Sequence, residues 1–300
     1  MSKLGRWIKM FFGKSIDHVE QKKGRSYSLN SVSGYYNDLT LKVLKDKKHY
    51  FDETVFEYER NGKKCFPAIE VFQYGLGTYD LFLQNIDKDL MRKKFISYVK
   101  WALFNQNKDG SWDAFSSRFN DNIFSAMAQG EGASLLIRGF VLTGNTDYLV
   151  AAKKAIDFML IPVEKGGTSK ILNGNICLLE YTNKPFVFNG WIFASFGLFD
   201  LYQVTRENKY KELFDSTINC FLSVIKKMNN GYWSMYDGEN IIASPFYHKL
   251  HIALLDVLHG ITGEEPFLYY SHLFARYKRN PFYKIRSFIK KVFQKIKSKD

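Results

Sequence analysis

Cysteine is scarce in this sequence: Cys65, Cys177 and Cys220 are the only three in 300 residues. An odd, sparse set without metal-ligand spacing argues against a disulfide framework or a zinc site. It fits reduced thiols in an intracellular setting. No run of about 18 apolar residues occurs, so no membrane span is expected. The basic, apolar start, Met1 to Lys14, lacks a proper hydrophobic region and a cleavage site, and is not read as a signal peptide. Acidic residues are also in short supply. Against 43 Lys and Arg stand 30 Asp and Glu, a formal net charge of +13. Such a field attracts polyanions or anionic membranes. No zinc finger, RNP-type aromatic strand or recognition-helix pattern accompanies it, so nucleic acid is not the expected partner.

What is abundant is apolar and aromatic. Hydrophobic residues make up 46% and aromatics 17% of the chain. That suffices for a packed core in one large domain with small attachments. Most of the 27 Phe and 19 Tyr belong in that core. Tyr and Trp beyond its needs are candidates for packing against the faces of sugars.

The body repeats. Three segments, Ser125 to Phe158, Asn189 to Leu222 and Phe246 to Tyr277, share one layout. An apolar helix leads into a Thr-centred turn, and an amphipathic helix follows. The turn threonines, Thr143, Thr205 and Thr262, are 62 and then 57 residues apart. An aromatic follows each turn: Tyr148, Tyr210 and Phe267, the last paired with Leu268. The leading helices, as in Trp191 to Leu201, are apolar nearly all round and so are buried on several sides. The following helices, richer in Lys and Asp, face solvent. A further pair is expected around Ala68 to Leu83 and Arg92 to Asn105. An inner helix and an outer helix, repeated, predict an all-α fold, an (α/α) toroid, with a helical solenoid as the alternative. Short extended stretches after Gly110 and Gly231 (Trp112 to Phe115 and Tyr232 to Tyr236) are expected as strands at its mouth.

The predicted organisation has four parts. Residues 1–26 form a basic amphipathic segment. Residues 27–65 hold a small β-hairpin, signalled by Asn61-Gly62. Residues 66–280 form the toroid, and residues 281–300 a basic amphipathic helix. In that tail Phe282, Ile285, Phe288, Ile289, Val292, Phe293 and Ile296 fall on one stripe. Lys284, Arg286, Lys290, Lys291, Lys295 and Lys297 lie off it. Both ends carry the signature of helices that lie in an anionic membrane interface. The alternative is that the tail docks back on the body or pairs with a partner helix.

Several stretches resemble the C-terminal catalytic domain of the glucuronyl C5-epimerases that act on heparan sulfate and heparosan. They are Gln73-Tyr74-Gly75-Leu76, Asn105-Gln106 with Gly110-Ser111-Trp112, and Ser125-Ala126-Met127-Ala128-Gln129-Gly130. Then come Leu179-Glu180-Tyr181, Phe188-Asn189-Gly190, Met235-Tyr236-Asp237 and Phe246-Tyr247-His248. The resemblance runs from about Phe66 to Tyr277. It implies a cofactor-free, metal-free isomerase converting D-glucuronate to L-iduronate within an acidic polysaccharide. It implies Glu180, Tyr181, Tyr236 and Tyr247 as the catalytic group, with Glu180 and Tyr247 as the acid/base pair. Around them Gln73, Tyr74, Trp112, Gln129 and Asn189 are candidate substrate contacts. His248, Lys249 and the more distant Arg118 are candidate substrate-binding cations, and Arg138 is a further candidate cation. By analogy a homodimer is expected.

Two departures stand out. The chain has no room for the large β-sandwich of the animal enzymes, which implies a reduced, bacterial-style version. Where those enzymes place a substrate-binding arginine shortly after the Tyr-Asp pair, Gly238-Glu239 stands here.

The chemistry suits these residue types. The carbon 5 proton is α to a carboxylate, so its removal leaves an enolate-like dianion. Inversion needs acid/base groups on opposite faces and donors or positive charge on the carboxylate. A glutamate in a partly dry aromatic cleft has its pKa raised toward the useful range. Cationic neighbours and a helix N-terminus favour a tyrosinate. A uronate lyase shares the first step and then expels the 4-linked sugar. A non-catalytic glycan-binding scaffold is the reading from another class. The expected setting is cytoplasmic, held at the inner membrane face.

Overall fold

The computed structural model describes residues 19–60, 63–116 and 123–297. The start Met1 to Lys14, the Asn61-Gly62 turn and Arg118 lie outside them. Helix dominates, with two small antiparallel ladders, so the class is all-α. The chain divides into two compact units. The larger comprises Gly24–Phe186 and Gly190–Phe221. The smaller comprises, among the described residues, 19–23, Val187–Asn189 and 222–297.

The larger unit opens with an irregular stretch and a one-turn helix α1 (Thr40–Leu44). Strands β1 (Tyr58–Arg60) and β2 (Lys63–Cys65) pair antiparallel. Then come α2 (Ala68–Leu83), α3 (Lys88–Phe104), α4 (Ala126–Thr143) and α5 (Thr146–Leu160). A second hairpin, β3 (Ser169–Leu172) and β4 (Asn175–Leu178), precedes α6 (Phe188–Thr205) and α7 (Asn208–Val224). Helix α2 packs on α3, α4 on α5, and α2 on α4. On α6 and α7, Trp191 stacks edge-on against Phe221 and donates from Nε1 to Thr217 Oγ1 at 2.7 Å.

The turn threonines owe their recurrence to one hydrogen-bonding device. Thr143, Thr205 and Thr262 each donate their hydroxyl to the carbonyl four residues back, at 2.7, 2.8 and 2.7 Å. Each hydroxyl also accepts the backbone N–H two residues on, from Asn145, Glu207 and Glu264. One side chain thus ends the first helix and steers the chain into the next. The residue after each threonine is left-handed: Gly144 at φ +74°, Arg206 at +59° and Gly263 at +73°. Glycine adopts this conformation freely, while at Arg206 it costs about 1 kcal/mol. The aromatics that follow, Tyr148, Tyr210 and Phe267, are all buried and anchor the second helix of each pair.

The centre of the larger unit holds a buried ion pair. Arg138 of α4 and Asp200 of α6 are fully buried, and their contact is two-pronged at 2.6 and 3.3 Å. Arg138 also donates to the carbonyls of Ser33, Gly34 and Ser134, and Tyr36 donates its hydroxyl to Asp200 at 2.7 Å. Fully partnered, such a pair is tolerated in a dry interior; removing one member costs about 3–5 kcal/mol. Nearby, α4 and α6 meet backbone to backbone. A Cβ added at Gly130 would come within 2.5 Å of Ala194 Cα.

The smaller unit contains a 3₁₀ turn (Ile225–Met228), α8 (Pro245–Thr262), α9 (Glu265–Arg279) and α10 (Pro281–Lys297). Helix α8 pairs with α9, and α9 with α10. The stretches expected as strands after the two Gly-x-Trp turns are bends, with only isolated bridges at Ser234 and Met235. Their tryptophans explain this. Trp112 and Trp233 turn inward, fully buried, and donate Nε1 to the Ala102 and Ala243 carbonyls at 2.8 and 3.1 Å.

Candidate functional site

The candidate residues fall into two groups, one in each unit. In the larger unit, β4 runs on into Leu179 and Glu180. Leu179 N–H donates to Thr168 O at 2.9 Å, and its carbonyl accepts the first amide of α4, Ala126 N–H, at 2.9 Å. Those bonds fix the backbone on which Glu180 is mounted. The Glu180 side chain is buried and lies over Gly190 in the first turn of α6. A Cβ at Gly190 would sit 2.7 Å from Glu180 Cβ and would also strike the carboxylate. Glycine at this position is therefore a steric condition for the Glu180 rotamer. Beside it the half-buried ring of Tyr181 stacks on Phe115, centroids 4.8 Å apart. Lys184 Nζ stands 4.9 Å over the outer ring, that of Tyr181.

Behind Glu180 lies a carboxyl group absent from the expected site. Glu131 of α4 is fully buried and accepts a 2.9 Å bond from Gln73 Nε2 of α2. Burial pushes its pKa well above the usual carboxylate range, and the charge of Glu180 pushes the same way. The Gln73 bond and the charge of Lys42 oppose that shift, and burial outweighs them. Its signal in the sequence is its place in the Gln129-Gly130-Glu131 run, on the same helical turn as a matched motif.

Other expected contacts in this unit are buried supports. Gln129 is fully buried, its amide nitrogen donating to Gly110 O at 3.1 Å and its oxygen accepting from Trp112 N at 3.2 Å. It thereby ties the Gly-x-Trp turn to α4. Tyr74 stacks on Tyr98 at 5.3 Å under Lys94, and both rings are buried. Trp112 is corrected from sugar platform to core residue, since its ring is covered and its N–H is taken. Arg138, a candidate cation, is corrected to a core residue, because Asp200 and three carbonyls absorb its guanidinium.

In the smaller unit, Ser244 caps α8, its hydroxyl accepting Tyr247 N–H at 3.4 Å, and Pro245 occupies the first helical position. This is the sequence pattern that starts a helix. It places Tyr247 in the first turn. The Tyr236 ring lies 4.8 Å from that of Tyr247, and both are half-buried. The Tyr236 backbone is held on both sides, accepting from Phe188 N–H at 3.1 Å and donating to Ile241 O at 2.6 Å. Asp237 closes the following turn, its Oδ1 accepting from Glu239 and Ile241 N–H at 3.1 and 2.9 Å. Gly238-Glu239 therefore belongs to a tight turn. A cation reaches Tyr236 from elsewhere: Lys291 Nζ of α10 lies 5.8 Å from its ring centroid and donates to Ile242 O at 2.7 Å.

His248 points away from Tyr247 into the core and is corrected from substrate contact to internal support. It stacks on Trp233 with centroids 3.6 Å apart. Its Nδ1 accepts Ser234 N–H at 3.1 Å, so the ring proton sits on Nε2, 3.0 Å from Phe274 O. Burial holds its pKa well below the ordinary value, with His251 adding to the shift. Lys249 is exposed and lies 3.8 Å from Glu20. Asn189 is buried in the first turn of α6.

The β3–β4 hairpin that delivers Glu180 was legible and missed. Asn173-Gly174 between apolar residues is the same turn signal as Asn61-Gly62, and both residues are left-handed, at φ +52° and +76°.

Residues 106–276 match the family described as D-glucuronyl C5-epimerase C-terminus. The chain is 28% identical over 200 residues to a D-glucuronyl C5-epimerase of Caenorhabditis elegans, covering 57% of this chain and 32% of that protein. It therefore spans about a third of that relative's length. It is 29% identical over 269 residues to an uncharacterized protein of Methanocaldococcus jannaschii, covering 81% of this chain and 82% of that one.

Proposed function

From the premise that this chain belongs to the D-glucuronyl C5-epimerase C-terminal family, we propose that it inverts carbon 5 of glucuronate residues within an acidic polysaccharide. One of Glu180 and Tyr247 takes the carbon 5 proton. The bonding pair moves toward the carboxylate to give an enolate-like dianion. The other group then delivers a proton to the opposite face, re-forming the C–H bond as L-iduronate. Tyr181 and Tyr236 stand beside the two as hydrogen-bond donors. In this reading the helical pairs compose an (α/α) toroid, and the enzyme works on glycan assembled at the cytoplasmic face of a membrane.

The observation that carries the proposal is a shared pattern in the two units. Each presents a candidate acid/base residue beside a half-buried tyrosine with a lysine over its ring: Glu180 with Tyr181 and Lys184, and Tyr247 with Tyr236 and Lys291. Dianion chemistry calls for positive charge of this kind. The lysines take the part that an arginine after the Tyr-Asp pair plays in the resemblance.

Incubation with heparosan in deuterated water tests this. Deuterium at carbon 5 and new iduronate signals by NMR, with no chain cleavage, are expected. Glu180→Gln and Tyr247→Phe should each slow exchange by roughly 10²- to 10⁴-fold. Unchanged turnover in either would remove that residue from the mechanism. Unsaturated ends absorbing in the near ultraviolet would mark a lyase instead. Lys291→Met is expected to raise KM about tenfold, the worth of one charge-assisted contact. An unaltered KM would take Lys291 out of the substrate site.

A further inference from the structure

Helix α10 is amphipathic, and it docks by its polar side. Gln294 accepts Ile242 N–H at 3.0 Å and donates to Asn240 O at 2.6 Å. Lys291 donates to Ile242 O. Ser287 is buried, and Tyr283 packs edge-on against Tyr277 of α9 at 5.5 Å. The apolar stripe faces the other way. Phe282, Ile285, Ile289, Phe293 and Ile296 are spaced 3, 4, 4 and 3 residues apart, which puts them on one side of a helix. All five are exposed, Phe282 by 77% and Phe293 by 60%. They are five of the fourteen exposed large apolar side chains among the described residues, gathered on one helix. A contiguous patch of this kind marks an interaction surface.

The charge on the same helix says what covers it. Pro281–Lys297 contains six Lys and Arg and no Asp or Glu. Lys284 and Arg286 are exposed and Lys290 half-exposed. Two copies of such a helix laid face to face would repel. No described helix is long and apolar enough to cross a membrane, and a stripe flanked by cations suits a helix lying flat in a headgroup layer. We propose that α10 docks this protein on an anionic lipid bilayer, with its apolar stripe in the interface and Lys284, Arg286 and Lys290 on the lipid headgroups. Because α10 also grips the 240–242 loop beside Tyr236, docking presents that tyrosine and Tyr247 to a glycan held at the same surface. The lipid contact itself does not depend on the epimerase reading.

The test is flotation of the full chain with vesicles of mixed phosphatidylcholine and phosphatidylglycerol, against phosphatidylcholine alone. The wild type is expected to float with the anionic vesicles and not with the neutral ones. Ile289→Glu with Phe293→Glu should weaken that binding on the order of tenfold or more, with the unfolding midpoint unchanged because both side chains are exposed. Lys284→Glu with Lys290→Glu, which leaves the apolar stripe intact, should weaken it as well. Flotation of either double variant like the wild type would overturn the proposal, as would equal binding to neutral vesicles. A wild type that binds neither vesicle, but whose sedimentation changes with Ile289→Glu and Phe293→Glu, would show the stripe to be an interface between copies. Turnover on soluble polysaccharide, followed in the same variants, reports the epimerase reading separately.

Discussion

Helices α9 and α10 are consecutive, similar in length and both amphipathic, yet they treat their apolar faces in opposite ways. Helix α9 turns Phe267, Leu273, Phe274 and Tyr277 inward, all buried. Helix α10 turns its stripe outward and holds to the body through Gln294, Lys291 and Tyr283. The pattern of apolar residues therefore says that a helix has two faces. It does not say which face the protein itself covers.

The largest effect separating the two helices is on stability. Phe274→Ala on α9 removes a fully buried ring and is expected to cost about 3–5 kcal/mol. Phe293→Ala on α10 removes an exposed one and should change stability by less than about 0.5 kcal/mol. Denaturant unfolding of both variants checks this. Equal costs would mean that the α10 stripe is covered within the protein.

A smaller effect concerns the histidines under α9. His248 donates to Phe274 O, and burial holds the His251 pKa down to about 3. In the unfolded chain both rings take up protons near pH 6.5. The unfolded state thus binds more protons below that value, so stability is full above about pH 6.5 and is lost as pH falls toward 3. The steepest loss is about 1.4 kcal/mol per pH unit for each ring. His251→Asn should therefore flatten the decline in unfolding free energy between pH 6.5 and 5. An unchanged slope would show that His251 is not neutral in the folded state. The smallest stability changes are expected at the exposed stripe of α10.

The helical pairs were legible because their turns are local. A threonine bonded four residues back, a left-handed residue and a buried aromatic are set by near neighbours in the chain. The candidate site was legible only through a resemblance, since Glu180, Tyr236 and Tyr247 follow no periodic pattern. Among its outer members, Trp112 and His248 were expected at the substrate and Arg138 as a candidate cation, and all three lie in the core. Each carries a polar group that suits a ligand equally well. Ala102 O, Asp200 and Phe274 O respectively claim those groups, and these partners lie 10, 62 and 26 residues away. Glu131 went unassigned for the same reason. A glutamate in a motif reads as an ordinary carboxylate until burial among other helices pushes its pKa well above the usual range, against the opposing bond from Gln73.

The sequence by itself thus determined the helical class, the Thr-turn repeat and the two-faced character of the tail, because these depend on contacts within a few residues. The tertiary structure alone decided which polar groups are sealed in, that Gly190 seats the Glu180 side chain, and which face of α10 is left bare. Burial and the pairing of buried polar groups are properties of distant segments brought together, and no local pattern encodes them.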